Sequence, residues 1–179
     1  MRLRLKVRHY EVDEYGHVNH ANYVHYLETA RIEALEAVGL SVREMRGHGV
    51  IAVVADLCMT YHSPASPGET LEIVTHVREM RGARTVWVQE IVEGTRHRLV
   101  VTAEVTGAFM TEAGRPVRAP ETFRQRLSTL YVPDGQGAVE GPPAVRRPRE
   151  RRSTDPVVSF PKPEVPSRDA PGVSAEAAD

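Results

Sequence analysis

The sequence predicts an α+β domain in which a five-stranded antiparallel sheet wraps around one long central helix. Three observations lead to this prediction. The chain begins with a strand-like alternation of apolar and basic residues, continues with one long run of helical periodicity, and then changes to β-rich segments separated by turns. One helix and five strands bury their apolar surfaces most economically when the sheet covers the helix.

The 179 residues fall into two parts of different composition. Nine of the 13 Pro lie at or beyond residue 133, whereas all eight His, Trp87 and Cys58 lie before it. We therefore predict a folded domain over residues 1–132. The Pro-rich tail at 133–179 is predicted to be disordered, because its composition buries too little apolar surface to offset chain entropy.

The first half of the domain carries one strand signal and two helix signals. Residues 2–10 alternate apolar with basic side chains, which is typical of a half-buried strand. The apolar spacing over residues 23–38 predicts the long helix, with Asn19 or Asn22 as its N-terminal cap. Gly39 is expected to end it, and the sequence from Ser41 to Glu44 is a capping box for a short second helix.

The second half of the domain is a series of β-rich segments separated by turn signals. A last amphipathic piece is predicted to be a helix. These predicted strands are residues 50–62, 70–80, 84–93 and 97–110, and the predicted helix is residues 120–130.

Charge, cysteine content and hydropathy exclude several classes of protein. Up to residue 132 the chain has 16 Lys and Arg and 16 Asp and Glu, so it lacks the basic excess of a general nucleic-acid binder. The single Cys58 excludes an internal disulfide and any multi-cysteine metal site. The longest apolar run, residues 50–55, is far shorter than the ~20 residues of a membrane span. We expect a soluble cytoplasmic protein.

Residues that can perform chemistry are concentrated just before the long helix, in the run DEYGHVNHANYVHYLETAR that starts at Asp13. A helix N-terminus offers N–H groups without helical partners and about half a positive charge, which can polarise a carbonyl. A carboxylate held nearby can act as a base or a nucleophile, and Gly16 lets the chain approach closely. Alternatively, Asp13 caps the helix or pairs with Arg8 or Arg31.

Histidines in the same run raise the alternative of a zinc site. Zinc accepts His ligands, and Glu28 lies three residues after His25. However, His17 and His20 are predicted to precede the body of the helix while His25 lies within it, so there is no helical HxxxH pair. We predict no metal and no cofactor. We also expect Glu28 to pair with Arg31 on the helix surface.

The run VRHYEVDEYGHVNHANYVHYLETAR resembles the signature of hot-dog-fold acyl thioesterases of the 4-hydroxybenzoyl-CoA thioesterase type. That group includes the Tol-Pal-associated acyl-CoA thioesterases of bacteria and the acyl-ACP thioesterases of plant plastids. The similarity continues through MTYHSPASPGETLEI, MRGART and RPVRAPETF, and it covers about residues 3–130. The lead-in RHYEVD is closer to the plant pattern R-x-Y-E-L-D than to the bacterial YYEDTD, which leaves the roles of His9 and Tyr10 open.

The resemblance implies hydrolysis of an acyl-CoA or acyl-ACP thioester by a homodimer or homotetramer with sites at the subunit interface. Asp13 matches the catalytic carboxylate, which attacks the carbonyl or activates a water. His20 matches a position that orients the water or the substrate. The backbone N–H groups from His20 to Tyr23 would form the oxyanion hole. The residues expected to bind substrate in this region are Gly16, His17, Val18, Asn19 and Tyr23.

The carrier of the acyl group requires further contacts. Coenzyme A carries phosphates, for which Arg forks are suited, and Arg81 and Arg84 flank Gly82 at a predicted turn. Surface salt bridges are an equally good explanation for these two arginines. Two other functions remain open: a non-catalytic hot-dog domain that binds acyl-CoA, and a release thioesterase specific to a polyketide or fatty-acid pathway. Dehydration of a hydroxyacyl thioester is disfavoured because its His and Asp motif is not found.

Overall fold

The computed structural model of this chain describes residues 1–132, and the predicted tail at 133–179 lies outside the described residues. The predicted α+β order is confirmed. In chain order the elements are β1 (Arg2–Lys6), a 3-10 turn (His9–Glu11), α1 (His20–Ala37), α2 (Val42–Gly47), β2 (Val50–Tyr61), β3 (Thr70–Arg81), β4 (Arg84–Glu93), β5 (Arg98–Thr111) and α3 (Glu121–Ser128).

The strands of residues 1–132 form one antiparallel sheet in the order β1-β3-β4-β5-β2. Strands β3, β4 and β5 are successive hairpins, whereas β1 and β2 each add to one side of them. Beside the second half of β3, the chain after α3 continues the pairing: the Val77 N–H donates to Leu130 O at 2.9 Å. The Val132 N–H in turn donates to Val77 O at 3.0 Å. At the other side of the described sheet, β2 pairs only with β5 and is therefore an edge strand.

Helix α1 packs across one face of this sheet through small and apolar side chains. Leu27, Ala30 and Ala34 are fully buried, and the small alanines let the helix approach the strands closely. The core has two clusters, one along each half of α1. The first includes Tyr26, Leu27, Ile73 and Ile91, and the second includes Ala34, Trp87, Phe109 and Phe123.

A buried polar network joins α1 to the sheet. Gln89 of β4 is fully buried, and its amide donates to Leu27 O and to Thr75 Oγ1, both at 2.9 Å. Its side-chain oxygen accepts a hydrogen bond from Arg31 at 2.7 Å. Within the described chain, Arg31 and Glu28 do not form the expected ion pair at 4.0 Å or less. The Arg31 side chain turns inward to Gln89 instead. Desolvation lowers the Arg31 pKa.

Local hydrogen bonds explain where the first elements begin and end. The predicted strand at 2–10 is too long, because the Arg8 N–H donates to Glu11 Oε2 at 2.6 Å and the chain closes a 3-10 turn there. The predicted cap of the long helix is Asn19, whose Oδ1 accepts from the Ala21 N–H at 3.0 Å. The Ser41 cap of α2 is confirmed by its 3.2 Å hydrogen bond from the Glu44 N–H.

No helix within residues 1–132 is both long enough and apolar enough to cross a membrane.

Candidate active site

The carboxylate of Asp13 sits on a tight turn just before α1. The Gly16 N–H donates to Asp13 O at 3.0 Å, and the Tyr15 N–H donates to Asp13 Oδ1 at 3.0 Å. Gly16 has a φ of 77°, a left-handed conformation that glycine adopts without strain. The turn therefore fixes one carboxylate oxygen of Asp13 against the backbone and leaves the other without a hydrogen bond to the described chain.

Backbone contacts close this turn into a small loop and attach it to the core. The Asp13 N–H donates to His17 O at 2.9 Å, and Val12 forms an isolated antiparallel β-bridge with Val18. The Val18 N–H donates to Ala65 O at 2.9 Å. The Val18 side chain is buried in the first core cluster, so it anchors the loop, whereas the side chain of His17 is exposed.

Glu11 connects the loop to the first turns of α1. Its carbonyl oxygen accepts from the Asn19 N–H at 2.9 Å and from Asn22 Nδ2 at 2.7 Å. Its carboxylate accepts from Tyr26 OH at 2.8 Å. Burial, and then this hydrogen bond, raise the pKa of the Tyr26 phenol. Neither Glu11 nor Tyr26 was predicted as a site residue from the sequence, although Glu11 lies within the RHYEVD lead-in.

The N–H groups at the start of α1 differ in their hydrogen bonds to the described chain. The Ala21 N–H is taken by the Asn19 side chain, and the Asn22 N–H donates to Asn19 O at 2.9 Å. The His20 N–H makes no hydrogen bond to any of residues 1–132. The His20 side chain is exposed, and its carbonyl accepts from Tyr61 OH at 3.2 Å.

Tyr23 forms a wall behind the loop. Its side chain is buried, and its hydroxyl accepts a hydrogen bond from the Ala65 N–H at 3.2 Å. Its ring packs edge-on against Tyr61, with centroids 5.7 Å apart. Burial raises the pKa of the Tyr23 phenol. Tyr61 and Ala65 were not predicted as site residues, since they approach the loop only through the fold.

The alternative structural roles for Asp13 do not match its surroundings. The helix cap is Asn19. Asp13 forms no ion pair within 4.0 Å with Arg8, Arg31 or another cation of the described residues. Among these residues there is also no group of three or more His, Cys, Asp or Glu side chains that could hold a metal ion. Asp13 is thus a half-buried carboxylate that no cation within residues 1–132 pairs with at 4.0 Å or less.

Arg81 and Arg84 lie at the other end of the sheet. The start of β3 lies beside Val7, whose N–H donates to Glu69 O at 2.9 Å, and Arg81 ends the same strand. Eleven residues of strand span roughly 35 Å. Within one chain the fold therefore brings Asp13, Gly16, His17, Asn19, His20 and Tyr23 together, but it does not bring these two arginines to them.

An apolar groove runs between α1 and β2, the edge strand of the described sheet. Residues of α1, including Ile32 and Leu35, form one wall. Val53 and Val54 of β2 form the other, and Trp87 contributes to the lining. Ile32 and Val54 are 40% and 54% exposed. The groove exists because β2 pairs with β5 on one side only in the described sheet.

A long helix covered by a five-stranded antiparallel sheet, with a polar loop leading into the helix, defines the hot-dog fold. Two crystal structures of proteins described as probable thioesterases share it. The one from Bartonella henselae is 29% identical, with a TM-score of 0.63, and covers 67% of this chain and 98% of its own. The one from Escherichia coli, YbaW, is 26% identical, with a TM-score of 0.65, and covers 73% of this chain and 98% of its own.

Sequence relatives lead to the same class. The chloroplastic acyl-acyl carrier protein thioesterase ATL3 of Arabidopsis thaliana is 28% identical over 70% of this chain and 66% of its own length. The long-chain acyl-CoA thioesterase FadM of Escherichia coli is 32% identical over 59% and 80%. This chain spans only about 66% and 65% of the first two Arabidopsis relatives. The family model of the Thioesterase-like superfamily matches residues 7–127, and the chain belongs to that family.

Proposed function

We propose that this protein hydrolyses acyl-CoA or acyl-ACP thioesters to a free carboxylic acid and a thiol, with Asp13 as the reacting carboxylate. The observation that carries the proposal is the placement of Asp13 on the turn before α1. One of its oxygens is held by the Tyr15 N–H, and no cation among the described residues neutralises it. The membership of this chain in a thioesterase family supports the same reaction.

The reaction has two routes that use the same residues. In the general-base route, Asp13 takes a proton from water, and the water oxygen adds to the thioester carbonyl carbon. In the nucleophile route, Asp13 adds to that carbon itself, and water then hydrolyses the mixed anhydride. In both routes the C–S bond breaks, sulfur leaves with the electron pair, and the thiolate takes up a proton.

The start of α1 is proposed to stabilise the carbonyl oxygen as it becomes negative. The His20 N–H, which makes no hydrogen bond to the described chain, is the candidate oxyanion donor. The N–H groups of Ala21 and Asn22 bind Asn19 instead. The positive end of the helix dipole favours the same charge. We assign the exposed His20 imidazole to orientation of the water or the substrate, and Gly16, His17 and Asn19 to the mouth of the pocket.

We further propose a homodimer formed through β2, which can pair again into a tetramer. The support is the free edge of this strand, along which Val54, Leu57 and Tyr61 are 54%, 37% and 49% exposed. An exposed apolar edge strand is a template for pairing with another chain. Antiparallel pairing of two β2 strands would continue the sheet across both subunits and cover the groove beside α1.

The experiment that tests the activity is thiol release from a panel of acyl-CoA and acyl-ACP thioesters with short, long and aromatic acyl groups. Release of free thiol above the uncatalysed rate supports hydrolysis. Binding of acyl-CoA without thiol release would replace the proposal with a non-catalytic acyl-CoA-binding domain. Turnover confined to one specialised thioester would indicate a pathway-specific release enzyme. The cytoplasmic location stays a prediction from the sequence.

A further inference from the structure

The carboxylate of Glu11 joins the chain that enters the Asp13 loop to the body of α1. Its Oε2 atom accepts a hydrogen bond from the Arg8 N–H at 2.6 Å, just before the loop. The same atom accepts from Tyr26 OH at 2.8 Å, in the second turn of the helix. A side chain that only closed the 3-10 turn would need the first of these bonds alone. The second bond therefore has another structural purpose.

The backbone oxygen of Glu11 holds the other end of the same loop. It accepts from the Asn19 N–H at 2.9 Å and from Asn22 Nδ2 at 2.7 Å. Asn19 caps α1 and Asn22 lies in its first turn, so the two flank His20 in the sequence. Glu11 is thus bonded on both sides of the candidate oxyanion donor, while Asp13 follows it in the chain after a single residue.

Tyr26 is a rigid anchor for this arrangement. It is only 5% exposed, and its ring packs edge-on against Tyr23 with centroids 6.0 Å apart. Burial, and then the hydrogen bond to Glu11, raise the pKa of the Tyr26 phenol, so the phenol stays a proton donor at neutral pH. A side chain locked by core packing holds its partner in a narrower range of positions than an exposed one does.

The partners of the Glu11 side chain indicate that its acceptor geometry matters more than its charge. Both donors are uncharged, one a backbone N–H and the other a phenol. Within residues 1–132, Glu11 forms no ion pair at 4.0 Å or less. An amide oxygen in the same place can accept both hydrogen bonds. Glutamine should therefore replace Glu11, whereas alanine should not.

We propose that Glu11 is a positioning residue, whose carboxylate fixes the Asp13 carboxylate relative to the start of α1. This role rests on the proposed thioesterase function for its effect on rate. Asp13 acts at the carbonyl carbon of the thioester while the His20 N–H binds the carbonyl oxygen, so the separation of the two groups has to be held closely. A misplacement of about 1 Å can cost about 100-fold in rate.

The kinetic test separates turnover from substrate binding. Glu11→Ala removes both side-chain hydrogen bonds and keeps those of the backbone. We expect kcat for thiol release from acyl-CoA to fall about 30- to 100-fold, while KM stays within about twofold. Glu11→Gln should regain most of this loss. Tyr26→Phe should also lower kcat, and combining it with Glu11→Ala should add little, because both changes break the same contact.

The pH profile distinguishes a positioning residue from a reacting one. If Glu11 acts through Asp13, the plateau of kcat/KM falls in Glu11→Ala while the midpoint of the acidic limb stays in place. Loss of that limb would make Glu11 itself the base and would overturn the proposal. The control is Glu44→Ala, which removes an ion pair of 3.3 Å between α2 and Arg126 and should leave kcat unchanged.

Amide hydrogen exchange tests the geometry without any turnover. The N–H groups of Asp13 and Asn19, which close the loop, should exchange at least about tenfold faster in Glu11→Ala, and those in the middle of α1 should not change. Unchanged exchange in the loop, an equal rise along α1, or an equal loss of kcat in Glu11→Gln or Glu44→Ala would overturn the proposal. If loop exchange rises as expected while even the unaltered protein hydrolyses no thioester, Glu11 positions the loop and the hydrolytic proposal fails by itself.

Discussion

At the scale of residues, Glu11 determines how the Asp13 loop is held against α1. Its backbone oxygen binds Asn19 and Asn22, and its carboxylate binds the Tyr26 hydroxyl. A hydrogen bond to a charged group contributes about 1.5–3 kcal/mol. Because these contacts cross from the loop to two turns of the helix, the position of Asp13 depends on side chains that take no part in the chemistry.

Burial of the Tyr26 phenol, together with its hydrogen bond to Glu11, makes the stability of the fold depend on pH in the alkaline range. The Tyr26 pKa is raised in the folded chain above its ordinary value of 10.0. Its contribution to stability is therefore fully present below pH 10 and is lost as pH rises through the higher folded value. We expect the free energy of unfolding to fall more steeply above pH 10 than in Tyr26→Phe. Denaturant titrations between pH 8 and pH 11 measure this, and parallel curves for the two proteins would contradict it.

The buried Gln89 network should contribute strongly to stability. Gln89→Leu removes the acceptor of Arg31 and the donor to Thr75, which leaves polar groups of the core without partners. We expect a loss of about 2–3 kcal/mol in the free energy of unfolding, measured by urea titration. Gln125→Leu, on the exposed side of α3, is the control and should change it by less than about 0.5 kcal/mol. Similar values for the two variants would show that the network contributes little.

At the scale of elements, local patterns predicted nearly every helix and strand because each pattern depends on near neighbours. The strand predicted at residues 2–10 was too long, because a hydrogen bond to the Glu11 side chain closes a 3-10 turn at His9–Glu11. Contacts between residues far apart in the sequence could not be predicted, because no local sequence pattern indicates them. Arg31 meets Gln89 across 58 residues, and the edge position of β2 follows from strand order. The Asp13 loop was predictable from its motif, whereas Tyr61 and Ala65 were not.

The edge position of β2 leads to a prediction on assembly. Val54→Lys places a charge on the proposed dimer edge, where it would have to be buried. Val42→Lys on α2 is the matched control, because Val42 is 53% exposed and Val54 is 54% exposed. Light scattering after size-exclusion chromatography should give the mass of one chain for Val54→Lys and of a dimer or tetramer for Val42→Lys. Unchanged assembly in Val54→Lys would exclude the β2 edge as the interface.

At the scale of the whole molecule, residues 1–132 contain the sheet, both core clusters and the candidate site. The family match ends at residue 127, within α3. The chain then adds to β3 through Leu130 and Val132. The domain boundary at residue 132 stays a prediction from composition.

The role of residues 133–179 is tested by removing them. A chain that ends after Val132 keeps every described contact, so we expect it to retain the fold and the thiol-release activity of the full chain to within about twofold. A second truncation after Ser128 removes the pairing of Leu130 and Val132 with β3 and should lower the thermal midpoint. Loss of activity in the first truncation alone would make the tail part of the enzyme.

The central claim is that Asp13 is the reacting carboxylate, and its most direct test is thiol release by Asp13→Asn. Asparagine keeps the size of the side chain and an oxygen to accept from the Tyr15 N–H, so the turn should persist. Glu14→Gln, an exposed neighbour, is the control for loss of one negative charge. We expect kcat/KM to fall at least about 100-fold in Asp13→Asn and to stay within about twofold in Glu14→Gln. Near-normal hydrolysis by a folded Asp13→Asn protein would contradict the account.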